Sequence, residues 1–154
     1  MDNASAESMK DKLNQSLGTA LELAQDAFFY CLRAEPSVLP ELMQALRDEY
    51  GFDYLANLTS IDYNDEFEMV YHLYSFSDQN KKLAVKARVS RSQAQIPSVC
   101  DIYPTADWQE REVFDLMGID FNGHPNLKRI LLPDDFEGHP LRKDFGKLAP
   151  KKHQ

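Results

Sequence analysis

Cysteine is nearly absent from this chain: Cys31 and Cys100 are the only two, far apart and outside any CxxC spacing. That scarcity excludes a disulfide framework and a four-thiolate zinc or iron–sulfur site, and it predicts two buried thiols. Glycine is sparse too, with 6 residues, and none falls in a GxGxxG pattern or in a GxxxxGK run followed by Ser or Thr. No loop is therefore built to cradle a nucleotide phosphate. No GxSxG elbow marks a serine nucleophile, and neither cysteine has a sequence context that would activate it. The longest apolar run, Ala27 to Leu32, falls far short of the roughly 18 to 20 residues that span a bilayer. The opening stretch MDNASAESMKDKLNQ has no apolar h-region and is neither a signal peptide nor an Arg-rich transit sequence. A reducing, cytoplasmic setting is the resulting expectation.

What is present fits one globular domain with a tail. The 154 residues are 43% hydrophobic and 11% aromatic, enough for a single core and too much for overall disorder. A net charge of -8 argues against generic nucleic-acid binding. The charge is uneven. Residues 126 to 154 hold seven basic side chains against four acids, a net +3, which leaves -11 on the first 125 residues. Such a basic tail suits an acidic partner, an anionic membrane surface or RNA, and equally an ordinary solvated tail.

Along the chain, Met9, Leu13 and Leu17 recur at helical spacing, with Gly18 as the stop. Two strands follow, Thr19 to Ala24 and Ala27 to Arg33, around a turn at Gln25-Asp26. Pro36-Ser37 opens a second helix whose apolar face is Leu39, Leu42, Met43, Leu46 and Tyr50, with Ser37 as N-cap and Gly51 beyond its end. Three further strands are expected over Phe52 to Tyr63, Phe67 to Phe76 and Lys82 to Val89. The last of them places Leu83, Val85, Ala87 and Val89 inward. The order helix, two strands, helix, three strands predicts an α+β fold, a two-layer sandwich with helices on one face of a sheet, over residues 1–118. After a loop through Pro97, Asp107 caps a short helix from Trp108 to Met117, ended by Gly118. Residues 119–154 carry Pro125, Pro133, Pro140 and Pro150 and read as an extended, irregular tail.

The most specific residue choices fall between Trp108 and Phe145: Glu110-Arg111-Glu112, two Gly-His-Pro triplets fifteen residues apart, and Leu141-Arg142-Lys143-Asp144. Glu110 projects onto the apolar face formed by Val113, Phe114 and Met117. Its place is explained most directly by a capping box in which it reaches back to the backbone N–H of Asp107, ahead of a role as a shifted acid or base. Arg111 and Asp115, four apart, suit an exposed ion pair. His124 and His139, with Asp134 and Glu112, define the rival reading, a stand-alone metal-dependent hydrolase. No HxH or HExxH spacing fixes any two of them together, and a histidine bonded to loop backbone explains each more simply. An RNA-binding tail is a third class, weakened by the net acidity. Ile130, Leu131, Leu132, Phe136, Leu141 and Phe145 look like spaced anchors of a tail that lies across another subunit.

These motifs resemble a known family. Glu110-Arg111-Glu112, Asp115, Gly118-Ile119, His124-Pro125, Leu127, Arg129-Ile130 and Pro140-Leu141-Arg142-Lys143-Asp144 are similar in kind and spacing to the C subunit of NADH-quinone oxidoreductase, the bacterial respiratory complex I. Upstream, Ile96-Pro97-Ser98-Val99, Tyr103-Pro104, Gly51-Phe52-Asp53-Tyr54 and Val70-Tyr71-His72-Leu73 extend the resemblance to residues 10 to 146. Phe136 and Met117 depart mildly, standing where larger aromatics are usual in the family.

The resemblance implies a non-catalytic α+β subunit of the peripheral arm, on the cytoplasmic side of the cell inner membrane, held there through the complex. It would dock on the quinone-site subunit, of the family's D type, and on neighbouring iron–sulfur subunits. FMN, the iron–sulfur clusters and quinone would belong to those partners and none to this chain. Arg111, Glu112, His124, Arg129, Arg142, Lys143 and Asp144 would pair with partner surfaces, and a chain cut after Ile119 would keep its core and lose assembly.

Overall fold

The computed structural model describes residues 1–146. Lys147, Pro150, Lys151 and Lys152 of the basic tail lie outside the described residues. Helix α1, Asn3–Leu17, starts six residues before its first long apolar side chain. Its cap is Asp2, whose carboxylate accepts the Ser5 N–H at 2.8 Å. Periodicity misses this start because only Ala6 of the first turns is buried and apolar. Gly18 ends the helix at φ 61°, as its position predicts.

Strands β1, Glu22–Gln25, and β2, Tyr30–Arg33, form the expected hairpin. The turn is longer than two residues because the Asp26 carboxylate accepts both the Phe28 and Phe29 N–H groups at 2.8 Å, keeping 27–29 out of the strand. A 3-10 turn, Pro36–Val38, precedes α2, Leu39–Asp48. Ser37 sits inside that turn and does not cap the helix. Leu39, Leu42, Met43 and Leu46 are fully buried, the face the spacing assigns.

Strands β3, Tyr54–Asp62, β4, Glu66–Tyr74, and β5, Lys82–Ser90, complete a sheet in the order β1-β2-β5-β4-β3, antiparallel except for the β2·β5 pair. Leu32, Val85, Tyr71 and Leu58 share one row of its core face, and with α1 and α2 they enclose a single hydrophobic core. The architecture is the α+β two-layer sandwich that the element order implies. Two short strands are additions. β6, Gln95–Pro97, and β7, Asp120–Asn122, pair in parallel, so the start of the tail is regular where the sequence suggests irregular chain. Ile96 and Phe121 bury their side chains from this pair.

Between them runs α3, Ala106–Met117, with Thr105 at its N-cap and Gly118 beyond its end at φ 65°. It crosses the outer edge of β3. The Thr105 hydroxyl donates to Leu55 O at 2.9 Å, and Gln109 Oε1 accepts the Leu58 N–H at 2.5 Å. These side chains satisfy edge groups flanking a bulge between Leu55 and Asn57, so the edge is covered rather than left to pair with another chain.

Candidate assembly site

Helix α3 is the spine around which the tail is wound, and one buried carboxylate fixes the winding. Asp115 is fully buried. One of its oxygens accepts three successive backbone N–H groups, Ile130, Leu131 and Leu132, at 3.1, 2.8 and 3.0 Å. The other accepts Arg129 Nη1 at 2.9 Å, and the same guanidinium donates to Gly138 O at 3.1 Å. A buried charge needs such company, and these donors hold the Asp115 carboxyl below the usual range against the opposing pull of burial. The exposed Arg111–Asp115 pair expected from the i, i+4 spacing therefore does not form. Arg111 instead stacks on Trp108 at 4.7 Å and donates to Lys128 O at 3.2 Å.

The tail then caps the C-terminal end of α3. Leu141 N–H donates to Leu116 O at 3.1 Å, and Arg142 donates through Nε to Met117 O at 2.5 Å and through Nη2 to Gly118 O at 2.8 Å. Cationic donors suit carbonyls at a helix C-terminus. His139 Nδ1 lies 3.0 Å from Asp115 O, on the same end. A second carboxylate anchor follows: Asp62, buried at the end of β3, accepts the Lys143 N–H at 2.9 Å, the Asn64 N–H at 2.8 Å and the Arg91 guanidinium. Arg91 also meets Asp144 at 3.1 Å and lies over the Phe67 ring. Burial alone would raise the Asp62 carboxyl, but these donors bring it down to about 2.

Five of the seven side chains expected at a partner surface are thus engaged within the chain: Arg111, His124, Arg129, Arg142 and Asp144. Lys143 gives the fold only its backbone N–H, and its side chain is exposed, as is that of Glu112. Trp108 on α3 and Leu131, Leu141 and Phe145 on the tail are also exposed, at 63%, 60%, 61% and 45%. The Asp62 and Arg91 anchors are not legible in the sequence, since Asp62 and Lys143 stand 81 residues apart.

Glu110 does not close a capping box. It is fully buried and turns away from Asp107, accepting the Val99 N–H at 2.7 Å and the Ser98 hydroxyl at 2.5 Å. Burial pushes its carboxyl up to about 6 despite these two donors. Because the acid ionises less readily folded than unfolded, its charge costs stability above about pH 6, and the cost fades as pH falls towards the unfolded value near 4.3. Glutamine at 110 keeps an acceptor for Val99 and a donor for Ser98. Glu110→Gln is expected to add about 2 kcal/mol at pH 8 and nothing at pH 4, read from urea unfolding at both.

The rival metal site does not assemble. His124 meets Asp107 at the start of α3 and His139 meets Asp115, eight residues and about 12 Å further along the helix. Glu112 and Asp134 are exposed. Cys100, Glu110 and His124 do place a thiol, a carboxylate and an imidazole within 4.8 Å of one another. The imidazole is unsuited to a metal there. Its Nδ1 accepts the Asn126 N–H at 3.0 Å, so Nε2 carries the proton, donates to Asp107 O at 3.1 Å and has no lone pair to offer. Cys31 is buried and Cys100 half-buried, and burial pushes both thiols up, away from the reactive thiolate.

The class is thus a mixed α+β sheet domain whose C-terminal helix is wrapped by a carboxylate-anchored tail, with Leu131, Leu141 and Phe145 exposed on that tail. Among the described residues no helix is long and apolar enough to cross a membrane. Residues 32–151 match the profile of the respiratory-chain NADH dehydrogenase 30 kDa subunit, and the chain belongs to that family. It is 46% identical over 133 residues to the NADH-quinone oxidoreductase C subunit of Moorella thermoacetica, covering 85% of this chain and 89% of the relative. It is 39% identical over 150 residues to the corresponding C subunit of Roseiflexus sp. strain RS-1, covering 94% and 84%. Among solved structures, a trypsin-resistant fragment of Nqo5 superposes with TM-score 0.65 at 27% identity over 77% of this chain and 98% of that one. A chain of the membrane-bound sulfane sulfur reductase, an archaeal respiratory membrane complex, gives TM-score 0.77 at 27% identity over 94% and 87%.

Proposed function

We propose that this chain is a non-catalytic structural and assembly subunit of the peripheral arm of a proton-translocating NADH-quinone oxidoreductase. It docks on the quinone-site subunit and on neighbouring iron–sulfur subunits at the cytoplasmic face of the membrane. Electrons pass from NADH through FMN and iron–sulfur clusters to quinone in those partners, and this chain sets their geometry. The observation that supports the reading is the exposure of Trp108 on α3 and of Leu131, Leu141 and Phe145 on a tail held to the fold by Asp115 and Asp62. A pre-ordered tail loses little entropy on docking, and large aromatic groups are the usual anchors of a protein interface.

The polar residues divide by role. Glu112 and the Lys143 ammonium meet the partner, whereas Arg111, His124, Arg129, Arg142 and Asp144 hold the tail in the shape the partner recognises. Truncation after Ile119 is a poor test, because it strips Asp115 and Asp62 of the donors that the tail provides. Surface changes avoid this. The triple variant Trp108→Ala, Leu131→Ser, Leu141→Ser is expected to stay folded, its melting temperature within about 5 °C of the parent, since surface changes usually cost little. It should lose at least about tenfold in co-purification with the other subunits, the effect of about 1.4 kcal/mol at an interface. Undiminished co-purification contradicts the docking face.

A further inference from the structure

We propose that the groove along α2 is a second docking surface, shaped and charged for a lysine-bearing, amphipathic segment of another protein chain. The groove has a volume of about 610 Å³ and lies between the C-terminal end of α1, the outer side of α2 and the loop that follows β6. Its α2 wall runs from Pro40 to Glu49, about 13 Å at the helical rise. That length takes about four residues of extended chain or two turns of helix. Leu17, Pro40, Ala45 and Ile102 give it apolar surface. The walls are fixed in advance. Arg47 Nη1 donates to Ile102 O at 2.7 Å, and the buried Tyr103 hydroxyl donates to Phe52 O at 2.7 Å, so the loop is tied to α2 and to the chain just beyond it. A preformed groove loses little entropy when it is filled.

Charge selects the occupant. Glu41, Asp48, Glu49 and Asp101 rim the apolar surface, all four exposed, and among the described residues no Lys, Arg or His lines the groove. Arg47 pairs with Asp48 at 2.8 Å, while among the described residues Glu41, Glu49 and Asp101 enter no ion pair. A nucleic acid or an anionic membrane surface has the same sign as this rim and is repelled by it. A basic segment is attracted, and its apolar side covers the surface between the acids. Lysine suits the arrangement better than arginine. The carboxylates are spread along α2 and across to the loop instead of forming one planar pair for a guanidinium fork. A lysine stem can lie on Leu17, Pro40 and Ile102 while its ammonium reaches the rim. No described residue of the tail lines the groove, so this surface is separate from the one formed by Trp108, Leu131 and Leu141.

The test uses the assembly purified from detergent-solubilised membranes through the tagged full chain. A carbodiimide joins a carboxylate to an ammonium group in ion-pair contact, with loss of water and no added spacer, and mass spectrometry identifies both peptides. The expected result is Glu41, Glu49 or Asp101 joined to a lysine of another subunit, in a peptide that carries apolar residues beside that lysine. The variant Glu41→Lys, Glu49→Lys, Asp101→Lys changes exposed side chains only and is expected to lose at least about tenfold in recovery of that subunit, because like charges then face each other. The neutral variant Glu41→Gln, Glu49→Gln, Asp101→Asn, which keeps the shape of each side chain, is expected to fall between it and the parent. Adducts confined to this chain or joining two copies of it, or unchanged recovery with the charge-reversed variant, overturn the groove while the other subunits still co-purify and the docking reading stands. Recovery of the parent chain alone contradicts both.

Discussion

Asp115→Ala is expected to cost about 4 kcal/mol in urea unfolding, the range for removing one partner of a buried, hydrogen-bonded charge pair. Three aligned N–H groups and the Arg129 guanidinium lose their common acceptor at once, with no water in reach of a fully buried position. The loss should be local before it is global. The segment from Ile130 to Leu132 has no other acceptor for its N–H groups on α3, so trypsin should cut after Lys128, Arg129 and Arg142 well before the core opens. Asp115→Asn keeps one accepting oxygen and is expected to fall between the parent and alanine. A loss below about 1 kcal/mol from alanine, with unchanged cleavage, contradicts the anchor role.

Acid should reproduce part of that effect in the parent. The Asp115 carboxyl is lowered on folding and Asp62 is brought down to about 2, so both contribute stability that is complete above the unfolded value near 3.9. That stability is lost as pH falls from about 4 towards 2, when the carboxyls protonate and release Arg129, Arg91 and the tail amides. Glu110 has the opposite sign in its own window between about 4.3 and 6. The tail should therefore loosen in acid before α3 loses its seat on Ser98 and Val99.

The second large effect is expected at Gly118. Its φ of +65° already disfavours any side chain, and a Cβ there would run into the His139 ring and come within 2.7 Å of Arg142 Nη2. Gly118→Ala is expected to cost about 3 kcal/mol, combining the left-handed penalty with overpacking of two side chains that cap α3. Gly18 is the control. It has nearly the same φ, 61°, and a Cβ added there would meet nothing within 4 Å, so Gly18→Ala isolates the backbone contribution at about 1 kcal/mol. Equal costs at the two glycines would show that the contact between the tail and the end of α3 adds nothing.

How much of this is legible in the sequence depends on how far each interaction reaches along the chain. The face of α2, the alternation of β5 and the glycine stops of α1 and α3 follow from spacing alone, and the structure has them. β6 and β7 are three residues each and carry no period to detect; their pairing is across 25 positions, Gln95 with Asp120. Glu110 departs from its expected place because a capping box and a buried acceptor for a distant loop look alike in sequence, and tertiary packing decides between them. Local spacing matches Arg111 to Asp115, while the true partner, Arg129, lies in the tail and comes with three backbone donors that no side-chain pattern announces. The residue types in the crowded stretch do mark the important region. Their bonds within the chain, Arg129 to Asp115 and Arg142 to the end of α3, emerge only once the chain is folded.

The most direct test of the assembly role is affinity purification of the tagged chain from detergent-solubilised membranes, with the iron, flavin and protein content of the eluate measured. The expected result is that the chain brings down the quinone-site and iron–sulfur subunits with iron and flavin, and that the folded Trp108, Leu131, Leu141 surface variant does not. Recovery of the parent chain alone, without iron, flavin or other subunits, contradicts that role.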